Sequence, residues 1–114
     1  MNNNCIFCRI AKGEIPAKRI FEDEKMIGFH DVNPQAPVHI VIIPKKHIES
    51  LNDITEADSQ LLGKILLAIK QIAQRRNIVA NGYRVVINCG PNAGQIVNHL
   101  HFHLLGGKKF TGLH

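Results

Sequence analysis

His99-Leu100-His101-Phe102-His103 is the stretch of this sequence that decides its fold. Its histidines occupy every second position and alternate with apolar residues. Successive side chains of a β-strand point to opposite faces, so a strand here would carry the imidazoles on one face, about 6.7 Å apart. Leu100, Phe102 and Leu104 would then point into the core. We therefore predict a strand over 99–105 with one apolar face and one imidazole face.

Three explanations account for a row of histidines on one strand face. The first is coincidence on a solvated surface. The second is a metal site with three histidine ligands and an open coordination position. The third is a nucleophilic histidine assisted by its neighbours, because neutral imidazole attacks phosphorus or acyl carbon well near neutral pH. The residues alone leave these alternatives open.

The rest of the sequence predicts an α+β fold with a roughly five-stranded antiparallel sheet around this strand. β-branched and apolar runs predict four further strands, at 17–22, 25–31, 38–43 and 83–88. A short N-terminal helix is expected over 6–12. A long helix is expected over 56–76, opened by a capping box at Thr55-Glu56-Ala57-Asp58. Its apolar stripe at helical spacing consists of Leu61, Leu62, Ile65, Leu66, Ile69, Ile72 and Ala73.

Length and composition limit the possible functions. At 114 residues, of which 45% are apolar and 20% charged, the chain is expected to form a single domain over 1–114. The net charge of +5 favours an anionic ligand, but the lysines and arginines are scattered, which argues against a dedicated nucleic-acid binder. The N-terminus does not resemble a signal peptide, and no apolar run is long enough to span a membrane. Because an odd number of cysteines, 3, argues against a secreted disulfide framework, we expect a cytoplasmic protein.

The stretch from His99 to Leu105 reads His-φ-His-φ-His-φ-φ, where φ is apolar, and resembles the signature of the histidine triad family of nucleotide hydrolases and transferases. Further segments are similar to the Hint branch of that family and extend the resemblance over nearly the whole chain. They are Ile15-Pro16-Ala17-Lys18, Phe21-Glu22-Asp23, Phe29-His30-Asp31, Pro34-Gln35-Ala36-Pro37, Ile43-Pro44-Lys45-Lys46-His47, Gly82-Tyr83-Arg84 and Leu105-Gly106-Gly107. The resemblance implies the histidine triad fold and a homodimer.

The resemblance also implies a reaction, the hydrolysis of purine nucleoside 5′-phosphoramidates such as AMP or GMP conjugates, at a P–N or P–O bond. His101 would attack the α-phosphorus through Nε2 while a backbone carbonyl holds its Nδ1–H. Water would then hydrolyse the nucleotidyl-histidine and release a nucleoside monophosphate. His103 would bind a phosphate oxygen or protonate the leaving group, and His99 is the third member of the catalytic triad.

The same resemblance implies a nucleotide site. Asp31 would accept hydrogen bonds from the ribose hydroxyls, while Asn88 and the backbone of Gly94 and Gln95 would hold the phosphate. Ile96 departs from the branch, which commonly has Ser or Thr at this position. The lost hydrogen bond is worth about 1.5–3 kcal/mol, or roughly ten- to hundredfold in rate. The apolar pocket for the base would consist of Ile10, Ile15, Phe29 and Val32.

Cys5-Ile6-Phe7-Cys8 is a C-x-x-C pair, which in a cytosolic chain indicates a metal knuckle or a redox pair. The strand that precedes a thioredoxin-like motif is missing, but the pair alone leaves zinc binding open. The resemblance implies a structural zinc in a closed Cys₂His₂ set. In that role His99 would brace the catalytic strand, and His39 would be a spare histidine near the triad. The implied ligands are Cys5, Cys8, His47 and His99.

Three alternative functions are compatible with these residues. A dinucleoside polyphosphate hydrolase of the same superfamily is one, although the Hint-like loop over 29–37 and the compact length argue against it. A zinc-stabilised nucleotide-binding or scaffolding module with little turnover is another, and Ile96 keeps this alternative open. The last is a metal-dependent hydrolase that uses the three histidines as ligands. Turnover measured with and without metal separates these alternatives.

Overall fold

The computed structural model describes residues 4–112, so the first three residues of the N-terminus and residues 113–114 lie outside the described residues. Within 4–112, five strands form one antiparallel sheet in the order β1-β2-β3-β5-β4. This architecture confirms the predicted α+β fold with one long helix. The elements are α1 (Ile6–Ala11), β1 (Arg19–Glu22), β2 (Met26–His30), β3 (Val38–Pro44), α2 (Ser59–Arg75), β4 (Tyr83–Val86) and β5 (Phe102–Gly106), with short 3-10 turns at Leu51–Asp53, Glu56–Asp58 and Pro91–Ala93.

The two faces of the sheet are covered by different helices, because side chains alternate along each strand. One face packs against α2 and includes Ile40 and Ile42 of β3, both fully buried. The opposite face includes Val41 of β3 and Phe29 of β2, which pack with Ile10 of α1 in a smaller cluster. We call these the α2 face and the α1 face of the sheet.

The long helix begins with the predicted capping box. The Thr55 N–H donates to Asp58 Oδ2 at 2.9 Å, and one 3-10 turn precedes the first α-helical residue, Ser59. The assignment of Leu66 to the buried stripe was wrong, because its side chain is 54% exposed and lies about 100° around the helix from Ile65. The buried positions of α2 are Ile65, Ala68, Ile69, Ile72 and Ala73.

The predicted strand over 99–105 is wrong at its N-terminal end, because β5 begins at Phe102. The partner strand β3 ends at Pro44, which has no N–H with which to extend the ladder. The carbonyl of Pro44 instead accepts a hydrogen bond from the imidazole Nε2–H of His99 at 2.7 Å. Of the triad histidines, His103 therefore lies in the strand, whereas His99 and His101 lie in the segment that leads into it.

The predicted apolar alternation is confirmed, since Leu100, Phe102 and Leu104 are all buried in the core on the α2 face. His103 of β5 pairs with Val41 of β3 and so lies on the α1 face. His39 is on this face as well, two positions before Val41. Within residues 4–112, no helix combines the length and the apolar character needed to cross a lipid bilayer.

Candidate functional site

A cavity of about 610 Å³ opens on the α1 face, and we call it the triad cavity because His101 and His103 line it. Gln95 and His99 are not among its lining residues. The cavity is lined by side chains from α1, from the end of β2 and from the loop between β4 and β5. Eight further residues of the predicted nucleotide site line it, namely Ile10, Ile15, Phe29, Asp31, Val32, Asn88, Gly94 and Ile96.

A backbone carbonyl fixes the tautomer of His101. Its Nδ1–H donates to the carbonyl oxygen of His99 at 2.7 Å, and a carbonyl oxygen can only accept. In the neutral ring the free lone pair is therefore on Nε2. Phe7 packs edge-on against the ring, with centroids 5.1 Å apart and planes at 78°, and so limits its rotation. The ring is thus held with one nitrogen available as a nucleophile.

Asp31, His39 and His103 form a group beside His101 that we call the Asp/His cluster. One backbone donor sets the direction of its hydrogen bonds, because the Gln35 N–H donates to His39 Nδ1 at 3.0 Å. His39 then carries its proton on Nε2 and donates it to His103 Nδ1 at 2.9 Å. The neutral ring of His103 consequently has its proton on Nε2, where it can donate to a ligand. Asp31 Oδ2 lies 3.4 Å from His39 Nε2.

Burial keeps the imidazoles of the Asp/His cluster neutral. Desolvation, with a smaller contribution from His101 and His39, lowers the pKa of His103 to about 4, although the Asp31 carboxylate opposes this shift. Desolvation also lowers the pKa of His39, again against the effect of Asp31. Near pH 7 the cluster of the free protein therefore offers a neutral hydrogen-bond donor rather than a cation.

The loop from Asn88 to Gln95 is held rigidly at one end of the cavity. Gly90 and Gly94 have backbone φ angles of +86° and +84°, which residues other than glycine rarely adopt. Gln95 Oε1 accepts from the Gly90 N–H at 2.9 Å, and Gln95 Nε2 donates to the carbonyl of Glu49 at 2.7 Å. The Gln95 side chain therefore braces the loop, while Asn88 Nδ2 donates to a carbonyl within it. Such a loop presents its backbone in one conformation.

Two aliphatic side chains on the lining of the triad cavity are almost completely exposed. Val32 is 90% and Ile96 is 91% exposed. Ile96 directly follows the loop from Asn88 to Gln95, and its side chain packs against little. Its side chain cannot form the hydrogen bond that a hydroxyl would form at this position.

Cys5, Cys8, His47 and His99 form a separate group, the Cys/His cluster, whose ligand atoms all lie within 4.8 Å of one another. Cys5 Sγ is 3.3 Å from His99 Nδ1, and Cys8 Sγ is 3.2 Å from His47 Nδ1. The two Nδ1 atoms are 3.2 Å apart. The structure thus brings together all four predicted ligands, and two thiols with two imidazoles are a donor set that could hold a metal ion.

The two histidines of the Cys/His cluster differ in how well they are oriented. His99 Nε2–H donates to the Pro44 carbonyl, which leaves the Nδ1 lone pair directed at the thiols, as in many metal sites. Burial lowers the pKa of His99 to about 4, with the Pro44 hydrogen bond opposing and His47 and His101 adding to the shift. His47 Nε2 is buried and has no hydrogen-bond partner among residues 4–112. His99 is therefore the better fixed of the two.

Helix α1 connects the Cys/His cluster to the triad cavity, and sequence reasoning missed the residue that makes the connection. Phe7 lies between Cys5 and Cys8, lines the triad cavity and packs against both His101 and His99, the latter at 5.9 Å between centroids. An aromatic residue inside a C-x-x-C pair was the available signal. Its role depends on where α1 docks, which the pattern alone does not specify.

Comparison with known proteins places this chain in a family. Residues 4–112 match a family model described as "Scavenger mRNA decapping enzyme C-term binding". An uncharacterized HIT-like protein of Buchnera aphidicola is 48% identical over 106 residues, which cover 93% of this chain and 95% of that protein. This chain belongs to the histidine triad family. Protein HitA of Neisseria gonorrhoeae, another relative, is 44% identical over 91% of this chain and 96% of its own length.

Solved structures of histidine triad proteins have the same fold. A HIT family hydrolase from Legionella pneumophila matches with a TM-score of 0.93 and 51% identity, covering 95% of this chain and 96% of that one. A histidine triad protein from Clostridium difficile matches with a TM-score of 0.95 and 43% identity, covering 100% and 99% of the two chains. The agreement over whole chains confirms the fold implied by the resemblance.

Proposed function

We propose that this histidine triad protein is a Hint-like hydrolase that cleaves purine nucleoside 5′-phosphoramidates, such as AMP or GMP conjugates of amines, or the corresponding P–O compounds. One observation carries the proposal. The bond from His101 Nδ1–H to the His99 carbonyl, 2.7 Å long, leaves the Nε2 lone pair free in a cavity that is also lined by every predicted nucleotide-site residue except Gln95. Neutral imidazole so oriented is suited to nucleophilic attack on phosphorus.

The lining of the triad cavity suggests how the nucleotide would lie. The base would pack on the apolar wall formed by Ile10, Ile15, Phe29 and Val32. Asp31 Oδ1 already accepts the Asn33 N–H at 2.8 Å, and the remaining lone pairs of the carboxylate would accept the ribose hydroxyls. The phosphate would lie at Asn88 and the backbone of Gly94 and Gln95, beside Ile96.

The reaction would proceed in two displacements at phosphorus. His101 Nε2 forms a bond to the α-phosphorus while the P–N bond breaks, and its electron pair leaves with the nitrogen. The nitrogen takes a proton from protonated His103 and departs as an amine. Water then attacks the phosphorus and gives its proton to His103, and the P–Nε2 bond breaks to return neutral His101 and release a nucleoside monophosphate.

Substrate binding would supply the charged form of His103 that this sequence requires. A pKa of about 4 leaves His103 neutral near pH 7 in the free protein. An anionic phosphoryl group within hydrogen-bond reach of Nε2 favours the imidazolium and raises the pKa in the complex. Because the imidazolium also carries a proton on Nδ1, the hydrogen bond from His39 to that atom would be given up, and His39 Nε2–H would be directed to Asp31 Oδ2, which lies 3.4 Å away. The proton would then be available only when a substrate is present to accept it.

We propose zinc as the ion of the Cys/His cluster. A tetrahedral zinc with bonds of about 2.0 Å to nitrogen needs its two nitrogen ligands about 3.3 Å apart, and the Nδ1 atoms of His47 and His99 are 3.2 Å apart. Because four protein ligands leave no open position, the ion would supply folding free energy rather than reactivity. The ligands Cys5, Cys8 and His99 would tie α1 to the segment before β5, so that His99 acts as a brace.

We further propose a cytoplasmic homodimer. Strand β4 is an edge of the sheet, and Tyr83 and Val85 on it are 37% and 39% exposed. Leu66 and Leu67 of α2 are 54% and 58% exposed, and pairing through these residues would cover apolar surface that a single chain leaves in water. None of the three cysteines forms a disulfide, as is usual in a reducing compartment. Light scattering during size-exclusion chromatography tests the dimer by its mass.

A second candidate function is a nucleotide-binding module with little turnover. Ile96, exposed on the lining of the triad cavity without hydrogen-bonding capacity, is the observation that favours it. Both candidates predict binding of AMP, so binding alone does not separate them. Turnover does.

The experiment is steady-state turnover of an adenosine 5′-phosphoramidate by the wild type and by His101→Ala, with the zinc content of both proteins measured. We expect the wild type to turn over and His101→Ala to be inactive while it keeps its zinc and binds AMP. A base-quenched reaction of the wild type should also contain protein with one added nucleotidyl group. If the wild type binds AMP without turnover, the chain is the binding module; if chelation alone abolishes turnover and the fold persists, the metal is catalytic.

A further inference from the structure

Asp31 lies between the wall of the triad cavity and the buried ring of His39. Among residues 4–112 it is the only Asp or Glu that lines the cavity. Its backbone N–H donates to the His39 carbonyl at 3.0 Å, where β2 and β3 come together. The side chain of Asp31 is 22% exposed and that of His39 only 4%. The carboxylate can therefore contact a ligand in the cavity and the buried imidazole at the same time.

The lone pairs of the Asp31 carboxylate are enough for both contacts. A carboxylate has about four lone-pair sites on its two oxygens. Oδ1 accepts the Asn33 N–H at 2.8 Å, and Oδ2 lies 3.4 Å from His39 Nε2. The remaining sites are available to the ribose hydroxyls of the proposed substrate. Binding the ribose and facing His39 are thus compatible roles for one side chain.

The negative charge of Asp31 favours protonation of His103. The potential ligand atoms of Asp31, His39 and His103 lie within 4.8 Å of one another. Burial, which is the largest effect, lowers the pKa of His103 to about 4, and among the groups that act on this pKa Asp31 alone raises it. The titratable and charged groups around His103 are His39 on β3, Asp31 after β2, His101 before β5, and Arg84 on β4 and Lys108 after β5, which line an adjoining cavity.

The proposed reaction requires His103 as an imidazolium, with a proton on both ring nitrogens. The Nε2–H of His39 can then no longer donate to His103 Nδ1. His39 also keeps its proton on Nε2, because its Nδ1 accepts the Gln35 N–H at 3.0 Å. Asp31 Oδ2 is the acceptor within reach of that proton. The step that protonates the leaving group therefore depends on the carboxylate.

We propose that Asp31 is a positioning residue for proton transfer, in addition to its proposed role as acceptor of the ribose hydroxyls. It accepts the Nε2–H of His39 and supplies the negative charge that keeps His103 protonated until the P–N bond breaks. This inference rests on the proposed hydrolysis. The proton passes from His103 Nε2 to the departing nitrogen as described above, and Asp31 neither gains nor loses a proton.

The test removes the ribose hydroxyls from the substrate, so that the effect of Asp31 on the acid is measured by itself. The wild type and Asp31→Asn are compared on the 5′-phosphoramidates of adenosine and of 2′,3′-dideoxyadenosine, both with the same leaving amine. A carboxylate that acts only on the ribose would give equal kcat values for the two proteins on the dideoxy substrate. We expect kcat of Asp31→Asn on that substrate to be about tenfold lower near pH 7, because an opposite charge at this range shifts a pKa by about one unit or more.

The pH profile of kcat is the second measurement. Because His103 has to be protonated, kcat should fall as the pH rises through the pKa of His103 in the substrate complex. Asparagine lacks the charge that raises this pKa, so in Asp31→Asn the fall should occur about one pH unit lower, on both substrates. A kcat that is lower at every pH by the same factor, with the profile unmoved, would overturn the inference. The profile on the adenosine substrate decides where turnover of the dideoxy substrate is too slow to measure.

Asp23→Asn is the matched control. Asp23 Oδ1 accepts the Lys25 N–H at 2.7 Å, the same contact that Asp31 makes with Asn33, but Asp23 lies in the turn between β1 and β2 and does not line the triad cavity. This variant should keep the wild-type kcat and pH profile on both substrates. Equal kcat values for the wild type and Asp31→Asn on the dideoxy substrate would overturn the inference and leave the proposed hydrolysis intact. No turnover of the adenosine substrate by the wild type would overturn the proposed hydrolysis and this inference with it.

Discussion

The Cys/His cluster and the Asp/His cluster flank the same residue, His101, and both bring ionisable side chains within a few ångströms of one another. In the Asp/His cluster a backbone N–H starts a chain of hydrogen bonds in which each ring nitrogen has a defined role. In the Cys/His cluster two sulfur atoms and two ring nitrogens converge on one point instead. The first arrangement is suited to proton transfer, and the second to a metal ion.

The difference shows that residue type alone does not distinguish the two kinds of site. Both clusters contain two histidines, and in both the potential ligand atoms lie within 4.8 Å of one another. What distinguishes them is the partner of the second nitrogen on each ring, because that partner decides which nitrogen has a lone pair. We therefore expect variants of the two clusters to affect different measurements.

Among variants of the two clusters, the largest effect is expected for His103→Ala, which removes the proposed proton donor of the Asp/His cluster. The kcat for a phosphoramidate should fall by about 10²–10⁴-fold, the range for loss of a general acid. Zinc content and the midpoint of thermal unfolding should stay near those of the wild type, because His103 is not part of the Cys/His cluster. A variant that loses its zinc together with its activity would mean that the two clusters are not independent.

Cys8→Ala is expected to act on the other cluster. It should abolish stoichiometric zinc and lower the free energy of unfolding by about 3 kcal/mol or more, since metal binding is coupled to folding. Cys89→Ala is the matched control, because Cys89 is a half-buried thiol outside the cluster. Elemental analysis and denaturant unfolding measure both effects. Equal zinc in Cys8→Ala and Cys89→Ala would rule out the proposed ligand set.

Acid should destabilise both clusters. The folded pKa of His103, about 4, lies below the ordinary value of 6.5, so the unfolded chain binds more protons between these values. His99 would have to lose the proposed zinc before its Nδ1 is protonated. Stability should therefore be complete above about pH 6.5 and fall as the pH approaches 4, and zinc release should add to the loss. We expect the unfolding midpoint to drop by about 5 °C or more between pH 6.5 and pH 4.5. A midpoint constant over this window would contradict the neutral, buried state of the His103 ring.

His39→Ala tests the direction of the hydrogen-bond chain. Without the Nε2–H of His39, His103 can adopt the other tautomer and present a lone pair to the leaving group. The kcat should fall by about tenfold, less than for His103→Ala, and AMP binding should change little. His39→Gln, which keeps an N–H donor, should recover part of the rate. Identical rates for the two variants would show that the donor at position 39 does not position His103.

The smallest effect is expected for Phe7→Leu, which weakens the contact between the clusters while it keeps an apolar side chain. Loss of the edge contact to His101 should cost about 1 kcal/mol of stability and raise KM a few-fold, with zinc retained. Phe21→Leu is the control, because Phe21 packs on the α2 face of the sheet and should leave KM unchanged. A larger effect on zinc than on KM would assign Phe7 to the Cys/His cluster alone.

Local patterns in the sequence predicted most of the elements but misplaced one that matters for the site. The capping box at Thr55 and the apolar alternation at Leu100, Phe102 and Leu104 depend on neighbouring residues, so they were predicted correctly. The predicted start of β5 was wrong because the start depends on Pro44, which is more than fifty residues away in the sequence. The Pro44 carbonyl accepts a hydrogen bond from the His99 imidazole instead of one from the backbone of a neighbouring strand. Leu66 was wrongly predicted to be in the core because apolar spacing along a helix does not show how large a part of its circumference is buried.

By itself the sequence determined the α+β class, because periodicity is a local property of the chain. Its resemblance to the histidine triad family, rather than any local pattern, predicted the residues that form the apolar wall of the cavity and the four residues that meet in the Cys/His cluster. The tertiary structure alone decided which nitrogen of each imidazole has the lone pair, that Phe7 packs on His101, and that Arg84 and Lys108 line a cavity next to His103. These features depend on backbone groups and strand register brought together from distant segments, which no local pattern encodes.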